Sequence, residues 1–313
     1  MKTLGVLFGK QLNKENTPFS EDKLNKDYAF FTDIGSKRGF KVVVGILKDF
    51  QKNKFLKAWY YENGWKIIKD VTISIIFDRS TTDIKTHKSK KKISKNIPII
   101  NNPELNRICW DKSSYIDFFS EYIPKTFLVN NRKELDKVLG KIKSDKIVLK
   151  PRFGIMGKDV NIVDKKNIPS KIKPNTIVQE FIDTSSGIKE LGIKCIHDIR
   201  VVLINHEIDH CYVRKSTGKM VSNIAQGGIV EHISNEKIPK SVLDIVKKVT
   251  AKIKKFGPAV YTVDCVFPKN QKPILIELES IPIIGSAYID KEAKPVQESF
   301  INHIFDTFET LLK

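Results

Sequence analysis

Apolar runs and apolar–polar alternation divide the chain into short strands and a few amphipathic helices. Residues 4–8 (LGVLF) predict a first strand. Leu24, Tyr28, Phe31 and Ile34 recur at helical spacing, which predicts a helix from about Lys23 to Lys37 with Gly39 beyond its end. Val42–Leu47 reads as a second strand. Aromatic residues on both sides of Asn63-Gly64 predict a hairpin, and Val71–Phe77 reads as one further apolar strand. A strand–helix–strand opening predicts an open α/β unit. No G-x-G-x-x-G follows its first strand, which argues against a dinucleotide site there. The lysine-rich run from Lys88 to Lys95 predicts a solvated loop, and Ile97–Ile100 a strand.

Asn102-Pro103 predicts a helix start, with an N-cap followed by proline at the first helical position. Residues from Asp111 to Tyr122 continue in helical register, with Ile116, Phe119 and Ile123 as an apolar stripe ahead of Pro124. A short helix follows over Lys133–Ile142. Strands are predicted over 146–151, 160–163 and 177–183, and a hairpin over 197–216 turning near Asn205–Ile208. Residues 222–228 read as a loop. The stretches 238–257 and 295–312 are amphipathic helices that cover a core. Between them, Val263–Phe267 and Ile274–Ile276 predict two strands joined by the turn Lys269–Lys272, which Pro268 and Pro273 bracket.

That hairpin organises the candidate chemistry. Centred between Asn270 and Gln271, it sets Asp264 opposite Glu277, and the period of two puts Glu279 on the same face as Glu277. Three carboxylates among apolar residues repel one another and lose hydration. A hard cation such as Mg²⁺, held by oxygen, compensates them; the alternative is a hairpin with a solvated acidic face. Lys150 ends a buried-looking strand, and Gly154 and Gly157 follow in a loop that can offer N–H groups to phosphate, or form a plain turn. Asp198 and Arg200 share a strand face, and Arg214 approaches Arg200 across the hairpin. Two converging guanidinium groups suit a phosphate or carboxylate, or surface ion pairs. Asn223 is a contact to metal or substrate, or a turn residue. Gly227-Gly228 supplies backbone donors, or a tight turn. His197 reads as structural.

Composition narrows the function classes. At 313 residues the chain can bury a sizeable core. No run of about eighteen apolar residues exists, so no membrane span is expected, and the polar turn after the first strand does not suit a signal peptide. The four cysteines have neither C-x-x-C nor zinc spacing, which fits reduced thiols and a cytoplasmic protein. The formal charge is +19, yet only seven of the 55 basic residues are Arg. Nucleic-acid readers use Arg for planar bidentate contacts, so dedicated nucleic-acid binding is not expected. Attraction to an anionic substrate or an acidic protein tail is.

The ordered set Asp111-Lys112, KPRFGIMGKDV (150–160), VQEFID (178–183), HDIRVVLI (197–204), Arg214, SNIAQGG (222–228) and Asp264…Glu277-Leu278-Glu279 resembles the ATP-grasp superfamily, in its glutathione-synthetase-like, glutamate-ligase-like branch. The resemblance spans roughly residues 101–313. It implies an α/β (α+β) ATP-grasp fold with two sheet-containing subdomains gripping ATP. A small open α/β domain, residues 1–101, precedes the ATP-grasp domain of 102–313. Within the latter the lid subdomain would be about 124–181 and the metal and catalytic subdomain about 182–313. By the same resemblance Lys112 and Lys150 contact the ATP phosphates, and the loop carrying Gly154 and Gly157 folds over them. Gln179, Glu180, Phe181 and Ile182 line the adenine, with Glu180 or Asp183 near the ribose. Asp264, Glu277 and Glu279 hold Mg²⁺, two ions by family expectation, with Mn²⁺ as a substitute. Arg200, Arg214, Asn223 and Gly228 face the transferred phosphate and the acyl substrate. The family usually has Asn where this chain has Glu279. The implied activity is ATP-dependent ligation of a carboxylate to an amine, an amino acid or acidic protein tail, through an acyl phosphate. A kinase of a polyanionic small molecule and a non-catalytic ATP-binding, coat-associated protein are the alternatives. A homo-oligomer is a family-level expectation.

Overall fold

The computed structural model describes residues 2–9, 16–81, 83–154, 159–218, 227–285 and 294–313. Chain order begins β1 (Lys2–Phe8), α1 (Asp22–Lys37), β2 (Phe40–Ile46), β3 (Phe50–Gln51), β4 (Lys54–Tyr61), β5 (Trp65–Thr72), β6 (Ile75–Asp78), α2 (Ile84–Ile93) and β7 (Ile99–Ile100). These strands form one sheet in the order β3-β4-β2-β1-β6-β7, with β5 added on β4. Its centre, β2-β1-β6-β7, is parallel. Tyr28, Phe31 and Ile34 of α1 are buried, and Gly39 beyond its end takes φ +80°, a value glycine adopts without strain.

Two readings of this region change. Val71–Phe77 is not one strand. Thr72 ends the edge strand β5, and Ile73 and Ser74 then donate to Asn53 and Thr3 as the chain crosses to the sheet centre. The lysine-rich run is the helix α2, not a loop. Asp83 and Thr86 close a reciprocal capping box at its start. Lys90 is fully buried, its ammonium 2.9 Å from Asp78, with the Ser80 carbonyl accepting at 3.0 Å. Position on the helix, rather than lysine content, decides which of these side chains is solvated.

The chain continues with α3 (Pro103–Trp110), α4 (Ser114–Phe119), β8 (Thr126–Val129), α5 (Arg132–Leu139), β9 (Lys146–Pro151), β10 (Asn161–Asp164) and β11 (Thr176–Glu180). Asn102 caps α3 by accepting from the Glu104 amide, and Pro103 opens the helix. The helix does not run on through Asp111. That residue bridges to Phe153, which takes residues 111–112 out of helical register. The second sheet is antiparallel in the order β10-β9-β11-β8, with its core under α5.

The last part holds β12 (His197–Ile204), β13 (Glu207–Lys215), β14 (Ile229–Ile233), α6 (Lys240–Ile253), β15 (Val260–Val266), β16 (Ile274–Glu279) and α7 (Lys294–Leu311). The third sheet is antiparallel in the order β14-β13-β12-β15-β16. One face, with Ile199, Val201, Leu203, Val213, Val263 and Leu278, packs on α3, α4 and α6. The other is apolar at one end, where Val202, Ile204 and Val260 join a core with α7, α1 and the first sheet. Toward the opposite end of β12 and β15, the same face carries charged side chains. Among the described residues no helix is long and apolar enough to cross a membrane.

Candidate active site

Register brings the charges together. Asp264 lies opposite Glu277, and Arg200 lies opposite Asp264 on the other side of β15. Arg214 pairs in register with Asp198. Arg200 grips Asp264 with two bonds, Nε to Oδ1 at 2.8 Å and Nη2 to Oδ2 at 2.5 Å. Arg214 reaches Asp264 Oδ2 at 2.8 Å and Asp198 at 2.6 Å. Thr262 donates to the same carboxylate. Burial works to raise the Asp264 pKa, but the two guanidinium groups overcome it and hold the carboxyl below its ordinary value.

Glu277 and Glu279 occupy the neighbouring strand. Lys112 Nζ sits 2.9 Å from Glu277, and also donates to the Gly154 carbonyl at 3.0 Å. This lysine thus joins the third sheet to the end of the second. Burial pushes the Glu277 pKa up, and Lys112 and Lys150 together more than reverse that, so it lies below the ordinary value. Glu279 accepts the Ile281 amide at 2.9 Å. Burial and the nearby Glu277 charge raise its pKa. The Arg200 and Lys112 charges offset this only in part.

The second sheet contributes Lys150 and Gln179. Lys150 is buried and donates to Gln179 Oε1 at 2.9 Å, while Gln179 donates to Thr126. Burial first, and then the Lys112 charge, lower the Lys150 pKa to about 8. Glu180 spends its carboxylate on the amides of Lys143 and Ser144. Phe181 and Ile182 are half-buried beyond the end of β11, and Asp183 is exposed, accepting the Ser185 amide. Gly228 immediately precedes β14, after Gly227 at φ +95°. Gly157 and Asn223 lie outside the described residues.

Three contributors escape sequence reasoning. Arg152 binds Asp111 through two bonds, at 2.8 and 2.6 Å, and its carbonyl accepts the Lys112 amide. This clasp fixes Lys112 against the end of β9. Tyr115 donates to and accepts from the Leu278 backbone, locking β16 between its two glutamates. Asn101 accepts the Val260 amide and donates to the Val260 and Ser280 carbonyls, which sets where β16 ends. The two members of each contact lie far apart in the chain, so no local pattern signals them. His197 is buried and structural: Phe267 N–H donates to its Nε2, which leaves the proton on Nδ1 for the Cys195 carbonyl.

The family model of the RimK-like ATP-grasp domain matches residues 120–295. The chain belongs to this family. Its ATP-grasp fold is shared with solved structures along nearly its whole length. A RimK-domain ATP-grasp protein of Sphaerobacter thermophilus aligns with TM-score 0.60 at 12% identity, over 96% of this chain and 98% of that one. D-alanine–D-alanine ligase of Bacillus anthracis, solved with ATP, aligns with TM-score 0.61 at 14% identity, over 100% and 99%. A RiPP-associated ATP-grasp ligase of Chryseobacterium gregarium, solved with ADP and a leader and core peptide, aligns with TM-score 0.61 at 12% identity, over 98% and 97%. No curated protein matches the chain. Lys112 meets the acidic strand β16, and Lys150 lies near enough for its charge to act on Glu277.

Donor chemistry on β16 fits Mg²⁺ in part. Glu277 and Glu279 offer carboxylate oxygens, the ligands a hard cation takes, and the Arg200 and Lys112 charges offset the burial of Glu279 only in part. Among the described residues, however, no three acidic, His or Cys side chains form a metal-holding group. Both Asp264 oxygens are turned to the arginines, so its joining a metal requires an arginine to let go.

Proposed function

We propose that the chain is an ATP-dependent carboxylate–amine ligase. The carrying observation is the meeting of a buried lysine pair, the β16 carboxylates, the buried Arg200 and the half-buried Arg214, in a chain whose residues 120–295 match the RimK-like ATP-grasp domain. Ligase relatives of the same fold that are solved with ATP, or with ADP and peptide, support a substrate set of amino acids or peptides.

In this reading Lys112 and Lys150 bind the phosphates of ATP. An arriving triphosphate keeps Lys150 charged despite its burial. Gln179 to Ile182 line the adenine. Glu180 already satisfies two amides, so the ribose contact falls to Asp183. Glu277 and Glu279 would hold Mg²⁺, joined by Asp264 if an arginine releases it, and the ion would supply charge neutralisation to the phosphates. Arg200 and Arg214 orient the substrate carboxylate and stabilise the phosphoryl group as it moves from ATP to that carboxylate. An amine then attacks the acyl carbon, forming the amide and releasing phosphate. Positioning and charge neutralisation supply most of the rate. Asn223 and Gly228 are assigned to the acyl side of the site.

The test is Glu277→Gln, judged by ADP release with Mg²⁺-ATP and pooled amino acids and acidic peptides. Release is expected only when carboxylate and amine are both present, and the variant loses about 100-fold or more while keeping its circular dichroism. An unchanged rate removes Glu277 from the site. ADP release that needs no amine, with phosphate recovered on the substrate, replaces the ligase by a kinase.

A further inference from the structure

Six of the seven arginines have a carboxylate partner. Arg38 meets Asp306 and Glu309, Arg107 meets Glu104, Arg132 meets Asp136, Arg152 meets Asp111, and Arg200 and Arg214 share Asp264. Among the described residues Arg79 alone forms no such pair. It is nevertheless 9% exposed, among the most buried of the seven. Its Nε donates to the Tyr28 hydroxyl at 3.1 Å and its Nη2 to the Pro282 carbonyl at 2.6 Å, both formally neutral. The guanidinium carbon lies 5.3 Å from the centroid of the Phe77 ring. Nη1 is shut off from solvent and, among the described residues, has no hydrogen-bond partner. A buried cation with an unmet donor is destabilising, and proteins pair such groups unless a ligand completes them.

Position points to the ligand. Arg79 directly follows β6, at the C-terminal ends of the parallel strands, where open α/β sheets receive ligands. Its Pro282 contact is three residues past Glu279, so at most about 11 Å of chain separates the two Cα atoms. The guanidinium thus lies at the junction between the first sheet and the acidic end of β16. It is held rigidly on three sides with one arm unspent.

We propose that Arg79 is the recognition residue for a non-reacting carboxylate of a substrate, a proposal that rests on the ligase reading above. When a substrate enters, the Pro282 carbonyl yields Nη2, and the two Nη atoms together present the planar fork that matches a carboxylate. A free amino acid, with its amine toward β16 and its carboxylate toward Arg79, fits this arrangement. Its carboxamide does not.

The probe is a pool of free amino acids set against the same amino acids as carboxamides. Thermal-shift titrations of the full chain are run with and without Mg²⁺-ADP. The free acids are expected to raise the melting midpoint and the amides to leave it unchanged. Arg79→Gln should weaken the response to acids by about tenfold or more, and Arg79→Lys should retain part of it. Stabilisation by Mg²⁺-ATP, unchanged in both variants, verifies their fold. It also separates the two readings: its absence from the unsubstituted chain counts against the ligase, whereas its presence with failed acid selectivity counts against Arg79 alone. Equal shifts from acids and amides, a preference that survives Arg79→Gln, or no response to either pool overturns the assignment.

Discussion

Asp264, at 1% exposure, owes its ionised state to Arg200 and Arg214. Removing one partner of a buried pair leaves a charge that low-dielectric surroundings cannot solvate. Arg200→Ala is therefore expected to destabilise the chain by about 3–5 kcal/mol, measured as a lower urea midpoint. Adding Asp264→Asn should return part of the loss, because the stranded charge goes with it. No recovery would mean that Arg200 acts through packing. The residue-scale geometry was partly legible. Period two placed Asp198 with Arg200 and Glu277 with Glu279. Asp264 does lie opposite Glu277, but through a register shift after the Cys265–Leu275 pair rather than through the turn centre read from the sequence. What the arginines bind was not legible, because Arg200 lies 64 residues from Asp264 and only the strand order β12-β15 brings them together.

At the scale of elements, α1 and α7 meet with almost no room. A Cβ on Gly35 would lie 2.5 Å from the Phe305 ring and 2.6 Å from Val42. The Phe305 ring in turn lies 4.9 Å from that of Phe31 and 5.3 Å from that of Phe40, tilted against both. Gly35→Ala should gain helix propensity of about 1 kcal/mol and lose more to overpacking, typically about 1–3 kcal/mol. The expected outcome is a lower thermal midpoint, and a raised one would mean that α7 shifts freely. The long helices α1, α6 and α7 were legible because each presents a sustained apolar stripe. The short strands β8 and β14 were not. Val129 is the one fully buried residue of β8, and β14 has none, and their apolar runs, Phe127–Val129 and Ile229-Val230, are too short to stand out. The lysine-rich α2 was hidden by its composition, since its cap at Asp83 and Thr86 precedes the charged run rather than lying in it.

At the scale of the molecule, the placement of α7 constrains how the first 101 residues can exist. Their apolar face, with Phe31, Phe40 and Phe77, is covered by Phe305 and Phe308 from the far end of the chain. The same cluster runs on into Val202, Ile204 and Val260 of the third sheet. Asn101 ties the segment to Val260 and Ser280 by three buried hydrogen bonds. A fragment 1–101 would expose several fully buried aromatic rings, each contributing about 1.5–3 kcal/mol by burial, which exceeds what a small domain can spare. The ATP-grasp unit without residues 1–101 would expose the other side of α7. We therefore expect fragment 1–101 to lack the sharp, dispersed amide spectrum of a folded domain. The full chain should lose first-sheet and third-sheet signals in a single urea transition. Two separated transitions, or a well-dispersed fragment spectrum, would show instead that the preceding unit is an independent domain resting on α7. One transition would mean that a substrate held between Arg79 and β16 is gripped by a single cooperative body, so that ATP binding at the second and third sheets stabilises the first sheet as well.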